Sequence, residues 1–256
     1  MRERNPYQLA VETDGRLIKG EPVSRQERKS IAAVLLEAAR PFGTAVRRPG
    51  RRELAPVFYV PDEGVRVKSL LGQTPKTKIL TGNMVELEIL RLLCLLDPDN
   101  SQVLLMRDET LRRLKNTCFG YEDDGVGECF DASLVALRFL STAVPGNREW
   151  IQSRVDNYNR HAGEKKRPWF PKWYFWLCLS EMPMEIAAPE IERHKKEILE
   201  KLRRSYVMHS EHDKTVHPVA LCMLRNLMAR LPEYSWVKER QIFISPKDGR
   251  LRLDLA

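Results

Sequence analysis

Four stretches of the chain place apolar residues at the i, i+3, i+4 spacing of one helix face. They run over about 83–96, 128–143, 169–182 and 216–231, and each carries a copy of Leu-Arg-x-Leu-x-x-x-x-Pro. The copies read Leu90-Arg91-x-Leu93 to Pro98, Leu137-Arg138-x-Leu140 to Pro145, Phe175-Trp176-x-Cys178 to Pro183, and Leu224-Arg225-x-Leu227 to Pro232. Their prolines are 47, 38 and 49 residues apart, about the length of a helical hairpin. More polar helices are predicted between them, over about 102–116, 147–161 and 189–207. The last has Glu192/Lys196, Glu197/Lys201 and Glu200/Arg204 at i,i+4, which suits a solvated outer face. The apolar helices should form an inner layer, and each proline should stop one and start a turn outward. A single hairpin cannot bury its apolar face, so the pattern predicts stacked hairpins.

The ends of the chain read differently. Tyr7–Val11 and Arg16–Ile18 flank Asp14-Gly15, a hairpin signal. A helix follows, with Ser24 and Glu27 as a capping box and Ile31, Val34, Leu35 and Ala38 as its apolar face. Arg47-Arg48-Pro49-Gly50-Arg51-Arg52 reads as a charged loop, and Val57–Val60 and Val65–Val67 flank a second hairpin signal. Asn83 and Glu86 read as the capping box that opens the repeats. At the C-terminus, Ile242–Ile244 and Leu251–Leu253 alternate around Pro246–Gly249. An isolated hairpin is marginal in water, so this one is predicted to join the N-terminal strands in one sheet. The expected fold is mainly α: about four stacked helical hairpins with a small α+β module from the N-terminal region and the C-terminal hairpin. The expected units are 1–78, 79–240 and 241–256.

Composition adds little about chemistry but something about partners. With 256 residues, 43% apolar and 30% charged, the chain can bury a sizeable core. No apolar run reaches the 18 or so residues of a membrane span, and no secretory signal follows Met1-Arg2-Glu3-Arg4. Five cysteines, an odd number and mostly in apolar helical settings, fit free thiols in a reducing cytoplasm. The net charge of +8 is uneven: residues 1–78 hold 16 Lys and Arg against 9 Asp and Glu, and residues 79–256 hold 27 against 26. The basic first third can attract phosphates or anionic surfaces.

Several clusters can carry chemistry, each with a plainer use beside it. Cys118 to Asp131 packs three glycines and five carboxylates, Asp123, Asp124 and Glu128 among them. Crowded carboxylates can bind a metal or donate a proton, or can simply favour the next helix N-terminus. His209, His212 and His217 can present nitrogens to zinc, or lie in a polar interhelical loop. Trp169, Phe170, Trp173, Tyr174, Phe175 and Trp176 are six of the chain's twenty aromatics. They can line an apolar cavity, stack nucleobases beside Lys165-Lys166-Arg167, or fill a core. Arg91, Arg138 and Arg225 share one repeat position, as a ladder that grips carboxylates or phosphates, or as pairs to a neighbour's carboxylate. Cys94, Cys178 and Cys222 fall on inner helices as small buried groups.

An outer helix, a glycine-rich acidic loop and an inner helix ending Ala-Leu-x-x-Leu follow one another from Glu109–Lys115 through Asp124–Gly127 to Ala136–Leu140. Arg148–Arg154 followed by Pro168–Trp176 is a looser echo. Over roughly 80–231 this resembles the repeats of the protein prenyltransferase and terpene cyclase superfamily. The resemblance implies an α/α toroid, and a cyclase-like or prenyltransferase-like enzyme using Asp123, Asp124 and Glu128, with Cys129 and His217 as a loose match to the family's zinc ligands; the metal read from the histidine cluster, at His209, His212 and His217, would accompany that enzyme. HEAT-type repeats are the rival resemblance, since Leu96-Asp97-Pro98 between two helices suits them. Stacked hairpins create concave surfaces, so the leading expectation is a binding or scaffold protein holding a protein, peptide or anionic ligand through Arg91, Arg138, Arg225, Trp169, Trp173 and Trp176. Nucleic-acid binding through Arg47, Arg48, Arg51 and Arg52 is the third expectation.

Overall fold

The protein is described by a computed structural model over residues 5–40, 45–48, 51–54, 56–58, 67–121, 127–163 and 170–255. Helix α1 (Pro6–Lys19) begins where the Asn5 side chain accepts the Tyr7 N–H at 2.9 Å, and ends at Gly20 with φ +78°. The hairpin expected around Asp14-Gly15 is therefore absent. Tyr7, Ala10, Asp14 and Ile18 recur at helical spacing and are all buried, and this face outweighs the local turn signal. Helix α2 (Arg25–Glu37) starts at Ser24, whose hydroxyl accepts the Glu27 N–H at 3.1 Å.

The helices predicted from the repeat are all present. They are α3 (Lys78–Leu96), α4 (Ser101–Leu114), α5 (Gly127–Ala143), α6 (Arg148–His161), α7 (Phe170–Glu181), α8 (Met184–Leu202) and α9 (Glu211–Met228). Helix α3 starts earlier than expected: Thr77 caps it by accepting the Leu80 N–H, and Asn83 lies within the helix, donating to the Ile79 carbonyl. The Asn83–Glu86 pair is thus no cap, and Glu86 is buried.

The odd-numbered helices form a closed ring. Helix α1 packs on α3, α3 on α5, α5 on α7, α7 on α9, and α9 back on α1. The more polar helices lie outside it: α2 and α4 against α3, α6 against α5, and α8 against α7 and α9. One continuous apolar core runs through both layers, including Leu90, Leu93, Leu137, Leu140, Leu224 and Leu227 of the repeat. Helix α1, from the chain's first third, is thus part of the helical packing. It is held there also by the Asn226 amide, which donates to the Ile18 carbonyl at 2.8 Å.

Two antiparallel hairpins complete the description. Strands β1 (Ala45–Arg48) and β2 (Arg51–Leu54) pair with each other, so the expected charged loop is a ribbon. The second hairpin signal falls largely on residues 59–66, which lie outside the described residues. Strands β3 (Ile242–Ile244) and β4 (Leu251–Leu253) form the predicted C-terminal hairpin, but in a sheet separate from β1 and β2. Its free edge is taken instead by Tyr206, which exchanges backbone hydrogen bonds of 2.8 and 2.9 Å with Leu251. The buried Leu251 and Leu253 side chains join the helical core, and the strands pack on α9.

Gly72 bridges the N-terminal segment and α9. Its φ is +74°, and a Cβ there would run into the His212 ring and Val216, whereas Gly20 at φ +78° has open space. Gly20→Ala is expected to cost about 1 kcal/mol for backbone strain alone, and Gly72→Ala clearly more. Chemical denaturation of the two variants measures the difference, and equal losses would contradict this packing.

Candidate functional site

Buried charge occupies the middle of the ring. Arg91 on α3 and Arg138 on α5 are 1% and 0% exposed. Neither can be left unpaired there, because an isolated buried charge is far too costly. Arg138 donates to Asp14 of α1 (Nη2–Oδ2 2.7 Å), Glu88 of α3 (Nη1–Oε2 2.6 Å) and Glu181 of α7 (Nη2–Oε1 2.7 Å, Nε–Oε2 2.9 Å). Arg91 pairs with the same three carboxylates: Asp14, Glu88 at 3.3 Å and Glu181 at 3.4 Å. Glu88 also accepts a hydrogen bond from the hydroxyl of Tyr174 of α7. The hydroxyl of Tyr7 is buried close enough to feel Glu88, Arg138 and Asp14.

The electrostatics follow from that closeness. Burial raises the Asp14 pKa, but Arg138 and Arg91 outweigh it and hold the carboxyl below its ordinary value. Burial works against the charge on both arginines, yet the carboxylates keep their pKa values raised. Burial first, and Glu88 second, push the Tyr174 hydroxyl well up, so it remains a donor. Glu181 is the outlet of the network, with 19% of its side chain exposed at the C-terminal end of α7. Arg230 occupies the same end, donating to the Leu179 and Met182 carbonyls at 2.6 Å each. This guanidinium satisfies carbonyls that α7 leaves without helical partners.

A second buried carboxylate joins other parts. Glu86 accepts the Phe58 backbone N–H at 3.0 Å and the Thr110 hydroxyl at 3.1 Å, with Arg113 at 3.5 Å. It ties the segment before the ring to α3 and α4.

The residues singled out from sequence fall in several places. Arg91 and Arg138 come together, each turned to carboxylates of its neighbours. Arg225 does not join them and donates to the Arg240 carbonyl at 3.1 Å. Trp176 is fully buried against Trp173 and His194, with ring centroids 5.4 and 6.0 Å away, and Trp173 is half-buried. Phe130, Tyr158 and Phe175 stack in sequence, at 5.7 and 3.7 Å, and join α5, α6 and α7. Trp169, Asp123 and Asp124 lie outside the described residues, and Glu128 is half-buried in the first turn of α5.

His212 lies over Gly72, and the His217 Nδ1 is 2.9 Å from the Val207 carbonyl. Asp213 is engaged in a capping box with Ser210 that starts α9. Among the described residues, no three His, Cys, Asp or Glu side chains are grouped to hold a metal ion.

Sequence reasoning missed Asp14, Glu88 and Glu181 as site residues, and placed Tyr174 only among the clustered aromatics. The signal was there in Glu88 and Glu181: each is a carboxylate inside an otherwise apolar run, which only a buried partner can justify. Compared with protein families, curated proteins and solved structures, the chain has no match.

Removing one partner leaves the rest buried and unbalanced. Arg138→Met is expected to destabilise the fold by about 3–5 kcal/mol, because three carboxylates would then share one guanidinium. The pH dependence has a definite sign. A carboxyl with a lowered folded pKa adds stability above its unfolded value and loses it as pH falls through the folded one. Thermal melts of the wild type should therefore fall steeply below about pH 4, and Asp14→Asn should show a shallower acid limb. Parallel acid limbs in the two proteins would remove Asp14 from this role.

Proposed function

We propose that this is a binding protein whose β1–β2 ribbon docks on the phosphate backbone of a nucleic acid. The observation that supports the reading is the register of that ribbon. Arg47 stands opposite Arg52, and Arg48 opposite Arg51, on the two rungs next to the turn. Like charges directly across a strand pair disfavour the pairing, and a bound polyanion would relieve that cost. A polyanion offsets the repulsion and gains the release of its own counterions. The alternation of a strand puts one arginine pair at positions on each face, so two phosphate rows can be met at once. The wider excess of Lys and Arg over Asp and Glu in residues 1–78, 16 against 9, adds a long-range attraction of the same sign.

Within this reading the helical ring is the rigid scaffold that carries the ribbon. Its arginines, Arg91 and Arg138, are already neutralised inside. The ribbon contributes backbone affinity and not sequence readout, since phosphate contacts carry no sequence information.

The test is salt-dependent fluorescence anisotropy with a labelled DNA duplex and a single strand of unrelated sequence. The wild-type affinity should fall with salt, with each arginine-to-phosphate contact contributing about 0.9 to the log–log slope. An R47A/R48A/R51A/R52A variant should lower that slope by roughly 3 if most of the four engage phosphates. Its melting temperature should stay near the wild-type value. Absent binding at low salt, or an unchanged slope in the variant, would overturn the reading.

A further inference from the structure

We propose that Cys118 and Cys129 form a reversible thiol–disulfide site, oxidised by hydrogen peroxide and reduced by a small thiol such as glutathione. None of the five cysteines is in a disulfide. These two differ from the others in placement: their sulfurs are 3.3 Å apart, in half-buried positions. A disulfide needs the sulfurs at about 2.05 Å, so the two sulfurs have little more than 1 Å to close.

The site is preorganised from both sides. Cys129 sits in the first turn of α5. Cys118 sits in a tight turn after α4, where Gly120 and Tyr121 both donate backbone N–H groups to the Thr117 carbonyl at 3.2 Å. Helix α6 clamps that turn: the Trp150 indole donates to the Gly120 carbonyl at 2.7 Å, and Arg154 to the Tyr121 carbonyl at 2.8 Å. Gly120 is required there, because a Cβ would collide with the Leu114 carbonyl. The other three thiols are poor competitors. Burial pushes Cys94 up to about 11 and raises Cys178 and Cys222 as well, which keeps them protonated and unreactive.

The chemistry balances as follows. One thiolate attacks a peroxide oxygen, the O–O bond breaks, and the departing hydroxide takes a proton to become water. The sulfenic acid so formed is attacked by the second thiolate, the S–O bond breaks, and a second water leaves. Two thiols and one hydrogen peroxide give one disulfide and two waters, with two electrons passing from sulfur to oxygen. Two glutathione thiols reverse the change by exchange and leave as glutathione disulfide.

The experiment treats the reduced protein with stoichiometric hydrogen peroxide, quenches, and counts thiols after unfolding. The count should fall by two from five, with peptide mapping finding Cys118 joined to Cys129 in the monomer. Glutathione should restore the original count. In Cys129→Ser the second step is blocked, so a sulfenic acid on Cys118 should be trapped by dimedone, and Cys118→Ser should show the converse. Five surviving thiols, a cross-link between molecules, or sulfinic acid without a cross-link would each overturn the proposal. The wild-type measurement stands alone if a serine variant fails to fold.

Discussion

Two guanidinium groups without access to water have to be neutralised by carboxylates, and most of those carboxylates come from other helices. Arg138 on α5 meets Asp14 of α1, Glu88 of α3 and Glu181 of α7, so one side chain ties four of the five ring helices into a single arrangement. Apolar contacts alone would tolerate some sliding and rotation of these helices. The ion network does not, since turning a helix by one residue swings its charged group about 100° away from the centre. The net stability of such a network is small or even unfavourable against an apolar replacement. The surrounding core of leucines, aromatics and methionines therefore drives folding, and the charges select which packing results.

The same requirement explains details farther out. Glu181 ends α7, where the helix dipole disfavours an anion. It is tolerated because Arg91 and Arg138 lie on one side and Arg230 covers nearby carbonyls of the same terminus. Arg230 follows α9, so the pairing inside the ring also fixes how α9 meets α7. From α9 the connection continues to α1 through Asn226 and to the C-terminal hairpin through strand packing. Glu86, one residue from the centre of α3 in sequence but on another face, does for α4 and the Phe58 segment what Glu88 does for the ring.

Most helices were legible because an apolar face at period 3.6 is a local property of the chain. The turn at Asp14-Gly15 was misleading for the same reason: a two-residue signal was weighed against a buried face whose partners were not yet known. The charge network was half legible. The repeat singled out Arg91 and Arg138, but the partners of Arg138 are 43, 50 and 124 residues away, and no local pattern links them. Only Glu88, three residues before Arg91, was within reach of a helix-face argument. The arginine ribbon was read as a loop because strand pairing depends on register across Pro49-Gly50, which arginine propensities do not announce. The two thiols both fall in the unusual acidic segment from Cys118 to Asp131, yet their proximity depends on how α6 clamps the turn after α4.

The imperfect third repeat follows from electrostatics. Were the arginine repeated faithfully on every inner helix, the ring would collect cations from α3, α5, α7 and α9 while its carboxylates stayed the same. Instead the centre alternates: an anion on α1, both signs on α3, a cation on α5 and an anion on α7. On α7 the position equivalent to arginine is Trp176, turned toward His194 of α8, and the helix contributes Glu181 to the centre. On α9 the arginine is kept but leaves the ring, since Arg225 reaches the Arg240 carbonyl. A ring of helices can repeat its apolar spacing on every member, but it can repeat a buried cation only as far as buried carboxylates are there to match it. The departures from the pattern at Trp176 and Arg225 are the places where the sequence yields to that constraint.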